Sequence, residues 1–243
     1  MTHAFTVRQL AVTAALAGSM CIPVRAQTLA SEQIFAELVA RNQTRAGDLL
    51  EYTADRVYRV SDPGGKIHAQ IEGRMDFEAT ESKTFFTKSE EGSVLVRHLA
   101  LKPLIASEVK AARGEDRHNS AITPANYTLE LIGEDEVRTH PCYVLRASPK
   151  HADKYLFEGK VWIDKQDFAV ARIEGHPAAN LSFWIKSADF VRDYEKVAGF
   201  WLPLKDETVV QVRMYGKKIL TIHHTDYAIR AKTLEAESGA DAR

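Results

Sequence analysis

Residues 155–204 read YLFEGKVWIDKQDFAVARIEGHPAANLSFWIKSADFVRDYEKVAGFWLPL, and this stretch decides the fold. It holds Trp162, Trp184 and Trp201, every tryptophan in the chain. Val161 and Ile163 alternate with Lys160, Trp162 and Asp164. Phe168, Val170 and Ile173 lead to Gly175, Phe183 and Ile185 alternate with Trp184 and Lys186, and Phe200 and Leu202 precede Pro203. Period-two patterning in short segments, interrupted at 164–167, at His176-Pro177 and at Ala198-Gly199, describes consecutive antiparallel strands. The aromatic density implies that these strands wrap something apolar, either a core or a core with a ligand.

The same alternation extends toward the N-terminus. In 49–60, Leu50, Tyr52, Ala54, Tyr58 and Val60 share a face with Arg56, an unusual place for a cation. Asp62-Pro63-Gly64-Gly65 marks a turn. In the next strand Ile67, Ala69, Ile71, Gly73, Met75, Phe77 and Ala79 face one way and charged or polar residues the other, as in an antiparallel sheet with one dry face. Short strands are expected at 83–88 and 93–98. Residues 99–113 then place Leu101, Leu104, Ile105, Glu108, Val109 and Ala112 at helical spacing, with Pro103 in the first turn. Strands resume after Pro124 and continue to Ile229. Nearer the N-terminus, Ser31 is a candidate cap for a helix with Ile34, Phe35, Leu38 and Val39 on one face.

The expected fold class is mainly β (α+β). About eleven antiparallel strands curl over their dry face into an incompletely closed barrel with a helical lid. Such a barrel either leaves an apolar cavity or fills it with its own side chains.

The first 26 residues carry Arg8, an apolar run at 10–17 and a small-residue site at Val24-Arg25-Ala26, the pattern of a cleaved secretory signal. Lipidation at Cys21 would need a small residue before it, and Met20 stands there. The expected division is therefore 1–26 signal peptide, 27–231 half-barrel domain and 232–243 flexible tail. Removal of the leader takes two arginines and no acid, moving the formal charge from −1 to −3. That mild acidity, with no basic cluster, argues against nucleic acid. Cys142 is then alone, and a secretory signal without a disulfide suits a bacterial periplasm.

Gly159-Lys-Val-Trp-Ile-Asp, Phe168-Ala-Val-Ala-Arg-Ile-Glu-Gly, Gly199-Phe-Trp-Leu-Pro-Leu, Lys217-Lys-Ile-Leu-Thr-Ile and Pro103-Leu-Ile-Ala-Ser-Glu, with 127–145, resemble the bacterial outer-membrane lipoprotein-sorting family (LolA/LolB-like). The resemblance implies an eleven-stranded half-barrel whose cavity holds acyl chains in transit. It also implies an arginine in an Arg-Pro turn that latches the lid, but here that turn reads Ala79-Thr80-Glu81-Ser82-Lys83. Arg56 is a candidate latch in its place. The alternative puts it near a strand end with its guanidinium in water.

The residues offer no catalytic signature. His223 and His224, adjacent on a strand, point to opposite faces and cannot chelate one ion. No zinc spacing, P-loop or GxSxG is present, so neither metal, cofactor nor enzyme activity is expected. The cavity candidates are Tyr52, Tyr58, Ile71, Met75, Phe77, Trp162, Phe183, Trp184, Leu104 and Ile105. The expected function is a periplasmic carrier of lipid or acylated lipoprotein, with peripheral membrane contact. The alternative is an envelope sensor that uses the same fold to bind a partner protein.

Overall fold

The computed structural model describes residues 24–79, 82–112 and 120–235. Helix α1 (Val24–Asp48) leads into strands β1 (Leu49–Ser61), β2 (Ile67–Glu78) and β3 (Ser82–Gly92). A helical segment follows, made of a single turn α2 (Val94–Val96), a π-helical turn (Arg97–Leu101) and α3 (Lys102–Ala111). Then come β4 (Tyr127–Val137), β5 (His140–Pro149), β6 (Phe157–Asp164), β7 (Val170–Pro177), β8 (Ile185–Val197), β9 (Phe200–Val212) and β10 (Gly216–Ala231).

All ten strands form one antiparallel sheet in the order β3-β2-β1-β10-β9-β8-β7-β6-β5-β4. Its edges, β3 and β4, do not pair with each other, so the barrel stays open, as expected. The count is ten among the described residues, against about eleven from the pattern. The difference lies at 93–98, expected as a strand. Gly92, at a φ of 75° with its Cα against the β2 backbone, ends β3. Ser93 then accepts a hydrogen bond from the Val96 amide and starts a helical turn.

Register defines a row of residues sharing the inner face: Leu131, Leu145, Val161, Ile173, Arg192, Asp206, Ile222, Tyr58 and Ile71, from β4 through β10 to β2. Each end of this row is covered by helix. Ile34, Phe35 and Leu38 of α1 bury against Tyr127, Leu129, Leu145, Val161, Ile163 and Ile173. Leu101 and Ile105 of the lid bury against Tyr58, Val60, Ala69, Ile71 and Ile222. Ser31 lies inside α1 rather than capping it. Its hydroxyl accepts the Leu131 amide hydrogen at 2.8 Å and fixes α1 to edge strand β4.

The outer face has its own small core, where Val137, Cys142, Val144, Trp162 and Ala171 pack with Trp201. The leader through Pro23 and Cys21 lie outside the described residues, and α1 begins at Val24, inside the expected leader. Residues 232–235 of the expected tail are helical instead. They are tied to the α1–β1 junction, Lys232 Nζ donating to the Gly47 carbonyl at 2.6 Å and Thr233 to the Asp48 carboxylate. Among the described residues no helix is long and apolar enough to cross a membrane.

Candidate functional site

The alternation of β1 puts Tyr52, Ala54, Arg56, Tyr58 and Val60 on the inner face, and the structure buries all five. Arg56 is mid-strand and 1% exposed, so its guanidinium does not reach water. It meets an acid from the lid. Arg56 Nη1 pairs closely with Glu108 Oε1 of α3, Tyr58 donates its hydroxyl hydrogen to Glu108 Oε2 at 2.8 Å, and Lys83 Nζ of β3 lies 3.4 Å from Oε1. Tyr58 also accepts from Arg56 Nη1 at 3.3 Å, closing a triangle. Burial alone would push the Glu108 carboxyl up, but Arg56, then Lys83, overcome it and hold the group at about 2. Burial, with the Glu108 charge beside it, raises the Tyr58 phenol. Glu108 fell on the apolar stripe of its helix, the one acid there. An acid on a dry helix face and a cation on a dry strand face were the signal that they pair.

A second charged cluster lies beside the first. His224 of β10 is the register partner of Arg56 and is also buried. Its Nε2 is 2.9 Å from Asp206 Oδ2 of β9, and Asp206 pairs closely with Arg192 of β8. Burial opposes the Asp206 charge, yet Arg192 and the His224 hydrogen bond depress its carboxyl well below the usual range. Burial lowers His224, with the Asp206 hydrogen bond pulling the other way. A polar strip, Arg56–His224–Asp206–Arg192, therefore crosses the inner face between the two apolar halves. Arg192 is its accessible end, with 45% of the side chain exposed. Sequence reasoning missed Asp206 and Arg192, because the exact register of the consecutive β8–β9–β10 hairpins decides which side chains meet His224. His223 points away, opposite Lys205 and Val57.

The cavity candidates do not converge on one volume. Tyr58, Ile71, Leu104 and Ile105 meet under the lid. Tyr52 stacks on Phe77 with ring centroids 4.9 Å apart, in a separate cluster with Phe200 and Leu202 at the other end of β1. Met75 is fully buried opposite Ala54 and Phe85. Trp162 faces outward, its indole N–H donating to Asp135 at 3.1 Å. The second half of β6 is buried on both faces, so alternation could not say which one met α1. Phe183 and Trp184 precede β8 and are exposed, at 73% and 56%. Cys142 is buried, and that burial pushes its thiol up to about 11, away from nucleophilic chemistry at neutral pH.

No curated protein matches this chain. Solved structures similar to it include a DUF1329 family protein from Desulfovibrio piger (14% identity, covering 82% of this chain and 92% of that one, TM-score 0.43). Another is a domain named for outer membrane lipoprotein sorting from Vibrio parahaemolyticus (11% identity, 84% and 93%, TM-score 0.44). A third is a LolA superfamily protein from Nitrosomonas europaea (9% identity, 82% and 93%, TM-score 0.36). A family model described as "-like: Uncharacterized protein" matches residues 112–233, from the end of α3 into the segment after β10, and the chain belongs to that family.

Proposed function

We propose that the protein is a non-catalytic carrier of the bacterial periplasm, holding acyl chains between the inner face of its open sheet and its helical lid. The observation that carries this reading is the Arg56–Glu108 ion pair. A surface helix has no need of a buried cation to stay folded, whereas a lid that must open and reseat gains a unique closed position from a directional tie. Around that tie the surface is greasy: Tyr58, Ile71, Leu101 and Ile105 would meet a hydrocarbon guest once α3 lifts. Each methylene buried there contributes about 0.8 kcal/mol, so one or two acyl chains bind usefully with few polar contacts. In this reading Arg56 is the lid latch. The leader at 1–26 supports export.

Native mass spectrometry of protein purified from its own periplasm tests the proposal. Co-purified lipid, together with saturable uptake of a fluorescent fatty acid, is the expected result. A stoichiometric protein partner with no lipid and no uptake would replace the carrier by a partner-binding sensor.

A further inference from the structure

One end of the half-barrel collects nearly all the large exposed apolar side chains among the described residues. The β1–β2 turn, the end of β3, the 178–184 loop and the β9–β10 hairpin share that end. Ser61 pairs with both Ile67 and Ile219, Ala69 with Gly92, and Val212 with both Gly216 and Ile185. Of the eleven large apolar side chains exposed among the described residues, all but Phe86 and Ile132 sit here.

The densest part is a two-loop platform. Leu181, Phe183 and Trp184 come from the loop before β8, Met214 (92% exposed) and Tyr215 from the hairpin. The loops are joined, the Arg213 amide donating to the Trp184 carbonyl at 2.8 Å. Phe183 and Trp184 pack edge to face at 5.5 Å, and the Arg213 guanidinium lies 4.8 Å from the Phe183 ring centroid. The platform is thus held in shape, with its apolar surfaces outward. A hollow of about 270 Å³ beside it is lined by Pro177, Leu181 and Ile185, among others.

The two loops themselves carry only positive charge, while Asp189 lines the hollow and Asp62, Glu90 and Glu91 lie elsewhere at this end, Glu90 being paired with Arg97 and Lys102. Residues 178–188 and 208–220 contain Lys186, Arg213, Lys217 and Lys218 and no acid. Among the described residues only Lys218 leans on neighbours outside these segments, His68 at 3.5 Å and Asp62 beyond it. A chain with a net charge of −1 thus presents four cations around five exposed apolar side chains. A second copy of the same surface would set like charges together at cost, so self-pairing is disfavoured. Tryptophan and tyrosine beside lysine and arginine suit the boundary of a bilayer, where rings lie among headgroups and cations meet lipid phosphates.

We propose that this end docks on the surface of an anionic lipid bilayer, Phe183, Trp184 and Met214 entering the headgroup layer while Lys186, Arg213, Lys217 and Lys218 face its phosphates. Docking stops at the interface, since two short loops cannot span a bilayer. The exposed start of the lid segment, Val94, Leu95 and Leu99, lies at the same end, so docking brings the lid hinge to the lipid. The inference goes beyond the carrier reading and does not depend on it.

Flotation with vesicles tests it. Phosphatidylglycerol mixed with phosphatidylethanolamine is compared with phosphatidylcholine alone, using the full chain throughout so that the apolar run at 10–17 contributes equally to every sample. The wild type should bind the anionic vesicles at least roughly tenfold more tightly, and salt should weaken that binding. The double variants F183S/W184S and K217E/K218E should each lose about tenfold with unchanged melting temperatures, since these side chains are exposed or at the rim. A third pair, M214S/Y215S, decides if either of those melts early. Equal binding of wild type and all variants overturns the proposal. So does a substitution that leaves vesicle binding intact but abolishes self-association or a protein complex in sizing experiments. Fatty-acid uptake in vesicle-free solution reports on the carrier reading separately: its loss in the wild type would end that reading and leave docking standing.

Discussion

The guanidinium of Arg56 has no exposed surface, and its partner Glu108 lies 52 residues away on a different element. Two of its nitrogens, Nε and Nη2, are buried without a hydrogen-bond partner. The cation therefore depends heavily on one carboxylate, and removing that carboxylate is worse than removing both partners. Glu108→Ala should destabilise the protein by about 3 kcal/mol, while the double replacement Arg56→Met with Glu108→Leu should cost far less. A double-mutant cycle in urea gives the coupling. Additive losses would show that the pair is not energetically joined. In hydrogen exchange the α3 amides should lose protection first in Glu108→Ala, because the lid loses its tie.

Acid should weaken the molecule in two steps. The folded Glu108 carboxyl, at about 2, sits below its ordinary 4.5, so the unfolded chain takes up that proton first. The stability tied to this shift is complete above about 4.5 and is lost as pH falls toward 2, amounting to roughly 3 kcal/mol. Asp206 is depressed in the same sense and adds to this step. His224 acts at higher pH. Burial lowers it despite Asp206, with Arg56 adding to the lowering and Glu108 opposing it, so the unfolded imidazole protonates first. Stability then falls once pH drops below 6.5. Urea midpoints at about pH 7, 5 and 3 separate the steps. His224→Gln should flatten most of the upper one and leave the lower, the remainder coming from His223, which burial lowers in the same sense. An upper step unchanged by the substitution would place its origin elsewhere.

Much of this arrangement was legible in the sequence, but unevenly. Period two in β1 and β2 identified the inner face down to Arg56, because one side of each strand is wet. In β6 the pattern could name no inner side, since Val161, Trp162 and Ile163 are all buried. The alternation of 93–98 suited a strand as well as a helical turn, and Ser93 as a cap decided for the turn. Pairing of β10 with β1 leaves no local trace, which is why His224 could not be set beside Arg56 beforehand; Asp206 and Arg192 join it through the registers of the consecutive β8–β9–β10 hairpins, which composition does not fix. Arg56 and Glu108 were each visible as a charge on an apolar stripe. Only the fold showed that the two stripes face each other.

Gly73 makes the geometry around Arg56 feasible. It is the β2 register partner of Arg56, next to an irregularity in the pairing with β3. A methyl group at this position would collide with the Phe85 ring and the Phe86 carbonyl. Gly73→Ala should therefore destabilise by about 1–3 kcal/mol, the cost of forcing volume into a packed site. Phe85→Leu should not rescue it, because the backbone carbonyl remains in the way. A melting temperature equal to wild type for Gly73→Ala would mean that β3 moves aside freely.

Ile71 and Trp184 were equivalent in the sequence, both aromatic or aliphatic positions on an alternating strand, and the structure separates them. Ile71 ends the inner-face row under the lid, 1% exposed, whereas Trp184 stands 56% exposed on the platform. Ile71→Glu forces a carboxylate among Tyr58, Leu101 and Ile105 with no cation assigned to it, so it should unfold the protein or leave it soluble only with the lid displaced. Trp184→Glu removes an outward ring and should leave the melting temperature within about a degree or two of wild type. Fatty-acid uptake should follow the same division: lost with Ile71→Glu, kept with Trp184→Glu. Circular dichroism melts and uptake titrations on the two variants decide it. If Trp184→Glu abolished uptake in solution while the fold stayed intact, the greasy volume would lie beside the 178–184 loop and not beneath α3.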